Sequence, residues 1–142
     1  MKTIDLSLPY AVSNLPIQLG ASALEASALP ALAACFSRTE YAGHLYAWQD
    51  EVSGKLGFYQ DHKVIVLDKA QISAVYLAFM RRAKGTGWIV LEANIKQQDR
   101  AITLLEARDY DEKSLAWLQA RTAFFEDFFG LNLTLIDEGY DC

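Results

Sequence analysis

The chain has 142 residues, 52% hydrophobic and 22% charged, with 18 acids against 13 bases for a net charge of -5. That hydrophobic fraction excludes wholesale disorder, and the length suits one domain, spanning 1–142, that folds without a metal or disulfide staple. The negative balance disfavours direct nucleic-acid binding, which needs a basic stripe to displace counterions from phosphates.

Residues 3–8 alternate Ile4, Leu6 and Leu8 with Thr3, Asp5 and Ser7. This predicts a half-buried strand ended by Pro9. Residues 9–20 read as an irregular crossing, with a short strand at Ile17–Leu19. Ser22 and Glu25 fit a capping box, so the alanine-rich stretch to Arg38 is expected to be helical, kinked or restarted at Pro30. A meander follows: a strand around Tyr46–Trp48, a turn at Asp50–Gly54, then strands Lys55–Gln60 and Lys63–Leu67. Only Asp61 and His62 separate the last two, the spacing of a two-residue hairpin.

Residues 69–83 place Ile72, Val75, Tyr76, Phe79 and Ala83 at spacings of three and four, predicting a helix capped by Asp68 and stopped at Gly85. Arg81, Arg82 and Lys84 would then suit its C-terminal dipole. Strands are expected at Trp88–Asn94 and Ala101–Ala107. A last helix begins at Asp111 or Ser114 and stops at Gly130, and a strand covers Leu131–Ile136. The predicted order is β-α-β-β-β-α-β-β-α-β. Short connections between strands favour an α+β fold with a mostly antiparallel sheet and helices packed mainly on one face.

The two cysteines, Cys35 and Cys142, do not form a disulfide framework, which points to reduced thiols in a cytoplasmic protein. Leu32–Cys35 fits a lipoprotein cleavage box. The preceding stretch, though, carries Asp5 and Glu25 among Pro9, Pro16 and Pro30, and offers no apolar h-region. No apolar run reaches the ~18 residues of a membrane span.

Chemical motifs are sparse. Gly85-Thr86-Gly87 would be a phosphate loop only if it followed a strand and opened a helix. With a helix expected before it and a strand after, it reads as a helix stop and turn. His44 and His62 are the only histidines and lack metal-ligand spacing. A Cys35–His44 nucleophile pair has no local motif behind it. No metal, cofactor or catalytic set is therefore expected.

Charge position says more than charge sum. Residues 1–105 hold 9 acids and 10 bases, whereas residues 106–142 hold 9 acids and 3 bases. In the last helix Leu115, Leu118, Thr122, Phe125 and Phe129 form one stripe. Trp117, Phe124 and Phe128 form a second beside it, more arc than one sheet face needs. Acids interleaved with aromatics suit a basic protein surface, because charge steers encounter and aromatics hold the contact. The candidate partner-binding residues are Asp109, Tyr110, Asp111, Trp117, Glu126, Asp127, Asp137, Glu138 and Tyr140.

In general type, small, acidic, aromatic-rich and without catalytic motifs, the chain is similar to bacterial toxin-immunity proteins. No specific motif carries that similarity, and no residue role is transferred from it. It implies a basic toxin domain, such as a nuclease, as the partner. Two other expectations stand beside it: a small-molecule pocket lined by Tyr46, Trp48, Tyr59 and Trp117, and a secretion or assembly chaperone.

Overall fold

In the first sheet, alternation sorts side chains into cross-strand rows. The computed structural model describes residues 1–7, 16–30, 43–98 and 100–141. Its strands are β1 (Lys2–Asp5), β2 (Gln18–Leu19), β3 (Leu24–Glu25), β4 (Tyr46–Asp50), β5 (Lys55–Gln60), β6 (Lys63–Asp68), β7 (Ile72–Arg81), β8 (Trp88–Ile95), β9 (Ala101–Ala107) and β10 (Leu133–Tyr140). The helices bounded within the described residues are α1 (Glu112–Gln119) and α2 (Thr122–Phe129). The first sheet has the order β1-β4-β5-β6-β3 and the second β10-β7-β8-β9-β2. The fold is α+β and mostly antiparallel; β10 joins β7 in parallel.

The row Ala47–Phe58–Ile65 points to one side of the first sheet, into a core shared with the second sheet and both helices. The rows Tyr46–Tyr59–Val64 and Trp48–Gly57–Val66 point to the other, where a second cluster includes Ala26 and Leu29. Gly57 is required there: a β-carbon would meet the Ile65 carbonyl oxygen at 1.7 Å and Trp48 Cζ2 at 3.2 Å. The β5–β6 hairpin turns on Asp61 and His62 at φ 48° and 67°, a turn whose twist matches that of the strands.

One predicted helix is absent, and a second does not begin where its capping box placed it. Residues 72–81 form β7, an interior strand of the second sheet. Val75, Leu77 and Phe79 enter the core while Tyr76, Ala78 and Met80 face the other way. A strand partly buried on both faces carries apolar residues at every position, so it also satisfies helical spacing. The β-branched and aromatic residues settle the matter in favour of sheet. Asp68 still caps, accepting from Ala70 N, but only for the 3-10 turn Lys69–Gln71. Gly85 is not a helix stop, and Arg81 lies at a strand end. The capping box at Ser22 and Glu25 likewise fails, since Leu24–Glu25 pairs with β6 and a 3-10 turn follows at Ala26–Ala28. The rest of the alanine stretch, Leu8, Pro9, Cys35 and Cys142 lie outside the described residues.

The last helix is present but broken. Asp111 caps α1, accepting from Lys113 N, and Gly130 ends α2 at φ 70°. Between them, Arg121 Nη1 donates to the Trp117 carbonyl at 2.9 Å, while its backbone N–H shifts to Leu118 O. The guanidinium thus takes the acceptor that a continuous helix would give to the backbone. Its Nε reaches Leu6 O at 3.2 Å, tying the break to the chain just after β1.

Helix α2 joins the core through aromatic packing. Phe58, fully buried, meets the rings of Phe125, Phe128 and Phe129 at centroid distances of 6.3, 5.7 and 6.2 Å. Phe58→Ala leaves a cavity among three rings that cannot all collapse. It is expected to cost about 4 kcal/mol, read as a lowered urea midpoint with an unchanged slope.

Candidate functional site

Three segments far apart in sequence meet at one end of the second sheet: the close of β7 with its following loop, residues 108–111 after β9, and the end of β10. Arg81 Nη1 donates to both oxygens of Asp137 at 2.7 and 2.9 Å. Its guanidinium also lies 4.8 Å from the Phe79 ring centroid and 5.7 Å from that of Tyr140. The hydrogen bond from Arg81 holds the Asp137 carboxyl below its ordinary pKa. Arg82 Nε donates to Tyr110 O at 3.2 Å, and Tyr110 N donates to Thr86 O at 2.8 Å. The Tyr110 ring packs against Phe79. Of the basic residues at this strand end, Arg81 therefore pairs with an acid of the last quarter and Arg82 with the backbone of Tyr110.

The nine partner-binding candidates do not form one patch. Asp109, Tyr110, Asp111, Asp137, Glu138 and Tyr140 are carried by these converging segments. Asp109, Asp137, Glu138 and Tyr140 are exposed, Tyr140 by 60%, whereas Asp111 is spent as a helix cap. Glu126 and Asp127 lie near the opposite end of β10, where Glu126 Oε2 accepts from Leu133 N at 2.9 Å. The strand between spans roughly 23 Å. Trp117 is only 6% exposed and belongs to the shared core, with the Arg121 guanidinium 3.8 Å from its ring centroid. The sequence also suggests a tail at 137–141, but β10 continues to Tyr140, with a register shift between Asp137 and Tyr140 and Gly139 at φ 83°.

The pocket lining drawn from the sequence also separates. Tyr46, Trp48 and Tyr59 lie in the cluster on one side of the first sheet and Trp117 in the core on the other. A surface cavity of about 640 Å³ opens elsewhere, lined by Ile17, Leu19, Gln60, Lys63, Glu106 and Arg108 among others. The Gln60 amide there is used structurally: Nε2 donates to Ile17 O and Gly43 O, and Oε1 accepts from Leu19 N. Among the described residues, no group of three or more His, Cys, Asp or Glu side chains could hold a metal, and no helix is long and apolar enough to cross a membrane.

One surface was not singled out by the sequence. On the outer face of the second sheet, register aligns Tyr76 with Glu92 and Thr134, Ala78 with Val90 and Ile136, and Met80 with Trp88. Tyr76, Met80, Trp88, Val90 and Ile136 are all partly exposed, and none belongs to either core cluster. Amid this face Glu92 is held above its ordinary pKa, first by desolvation and then by the charge of Glu138. The signal was present in the alternation of Trp88–Asn94, but without β7 as a strand it had no neighbour.

Because folding raises the Glu92 pKa, its contribution to stability is greatest below the unfolded value and is lost as pH rises through the folded one. Glu92→Gln should therefore raise Tm relative to the parent at pH 7, with the gap closing toward pH 4. Thermal melts across that range check the sign.

The family model described as the PM0294 C-terminal domain matches residues 39–122. Neither the curated proteins nor the solved structures yield a match. The matched span includes β4 to β9, α1 and the loop between β7 and β8, and it covers more than half of the chain. The chain belongs to the PM0294 C-terminal domain family.

Proposed function

We propose that this is an interaction protein that docks a basic protein partner on the outer face of the second sheet. Its action is of the immunity or inhibitor type: it neutralises a bacterial toxin domain in the cytoplasm by occluding a cationic cleft. The observation carrying this proposal is the outer face itself, where Tyr76, Met80, Trp88, Val90 and Ile136 are partly exposed around the carboxylate of Glu92. Burial costs the Glu92 carboxylate in the isolated chain. A cationic partner side chain beside Glu92 would offset that cost while the partner covers the apolar area. Trp88, Tyr76 and Met80 supply residue types enriched at interface centres. Asp137, by contrast, is already neutralised by Arg81 and adds little attraction.

The docking face differs from the one suggested by sequence alone. Asp137 pairs with Arg81 and Asp141 accepts from backbone N–H groups, so these two carboxylates are already engaged within the chain. Glu92 lies on the sheet face and feels the charge of Glu138, and the two together favour a positive partner.

The test is affinity capture from a native lysate followed by binding of the captured protein across a salt series. Trp88→Ala should weaken binding by roughly 30-fold, about 2 kcal/mol. Glu138→Lys should slow association at low salt and flatten the salt dependence. Asp127→Lys, at the remote end of β10, serves as the unaffected control. A partner indifferent to both Trp88→Ala and Glu138→Lys would place the interface elsewhere.

A further inference from the structure

The loop between β7 and β8 already surrounds an anion. Asp141 Oδ1 accepts from Ala83 N at 2.5 Å and Gly85 N at 3.2 Å, and Oδ2 accepts from Gly87 N at 2.6 Å. Three backbone donors from five consecutive residues thus converge on one carboxylate, with Arg82 and Lys84 in the same stretch. The intervening Lys84 N donates to the Asp141 backbone carbonyl at 3.1 Å. Backbone N–H groups turned inward from a turn make an anion-binding concavity independent of any helix. The glycine loop was dismissed because no helix follows it, and a loop of this kind needs none.

Gly87 is required by the backbone, and Gly85 leaves room for the anion. A β-carbon on Gly85 would lie 2.7 Å from Asp141 Oδ2, in the space the anion occupies. Gly87 sits at φ 65°, and a β-carbon there would meet Met80 O at 2.3 Å and Tyr110 Cβ at 2.7 Å.

The loop does not owe its shape to Asp141 alone. Tyr110 N and Arg82 Nε clamp it from behind, and the Thr86 hydroxyl contacts Gly87 O. These bonds come from the β9–α1 connection and from the loop itself, so the donors stay convergent when the carboxylate leaves. A shallow cavity of about 500 Å³ bounded by Met80, Lys84, Gly85, Tyr140 and Asp141 gives access from solvent.

We propose that the Ala83–Gly87 loop is a binding site for a free oxyanion, a carboxylate or a phosphate, which Asp141 fills as a tethered stand-in and from which an external oxyanion displaces it. The tether gives Asp141 a high effective concentration, so the parent chain binds external anions weakly and a chain lacking the carboxylate binds them well. The cavity shares Met80 with the partner-docking face, but the amide readout below tests the loop separately from that face.

The test follows the amide resonances of Ala83, Gly85 and Gly87 while inorganic phosphate, and in a second arm acetate, is titrated at constant ionic strength. In Asp141→Ala, one or both anions should shift all three amides saturably, with a Kd at least tenfold lower than in the parent. The arm that saturates assigns the ligand class. Adding Gly85→Ala to Asp141→Ala should abolish the response, which separates a shaped site from simple attraction to Arg82 and Lys84. Three outcomes would overturn the proposal: no saturable shift in Asp141→Ala, an equal response in the double variant, or collapse of loop amide dispersion on loss of Asp141 in both Asp141→Ala and Asp141→Asn. The last would make Asp141 a structural lock only.

Discussion

The second sheet depends on β7 being paired along both edges. With β8 on one side and β10 on the other, its inward residues Val75, Leu77 and Phe79 are placed against the helices and the first sheet. Its outward residues then have no choice but to form a face with those of β8 and β10. The same strand ends in Arg81, which gathers Asp137, Phe79 and Tyr140 around one guanidinium. Core, exposed face and charged end are thus three consequences of a single strand's register. A slip of one residue would exchange the core row for the surface row throughout the sheet.

This dependence explains how far the sequence could be read. The hairpin at Asp61–His62, the strands at Trp88 and Ala101, the cap at Asp111 and the stop at Gly130 rest on short-range rules, and local chemistry was enough for each. Strand β7 was misread because an interior strand loses its alternation when both faces are partly buried. What remains then fits the helical period equally well. The capping box at Ser22 and Glu25 failed for a related reason: pairing of Leu24 and Glu25 with β6 outweighs a local preference for helix starts.

Part of the site could be read in the same way. The concentration of acids after residue 105 is a property of composition and needs no fold. Its meaning does need one. Arg81 and Asp137 are far apart in sequence, and only the pairing of β10 with β7 brings them together. The aromatic face was hidden for the same reason, since Tyr76 and Met80 join Trp88 and Ile136 only across strands. Trp117 shows the opposite error. It looked like an interface residue because its helix seemed to have a surplus apolar stripe, yet packing between two sheets uses that stripe inside the core.

The parallel register of β10 on β7 has one more consequence, for the order in which the molecule assembles. Its contacts join residues nearly 60 positions apart, as between Ala83 and Asp141, while β7–β8 and β8–β9 close across short connections. Loop-closure entropy makes such distant pairing late. Until β10 arrives, the outer edge of β7 is an unpaired row of N–H and C=O groups, open to a strand from another molecule. Newly made chains are thus exposed longest at the strand on which the finished sheet most depends. Once β10 docks, the exposed Glu138 and the register shift between Asp137 and Tyr140 guard the new edge against joining its own kind.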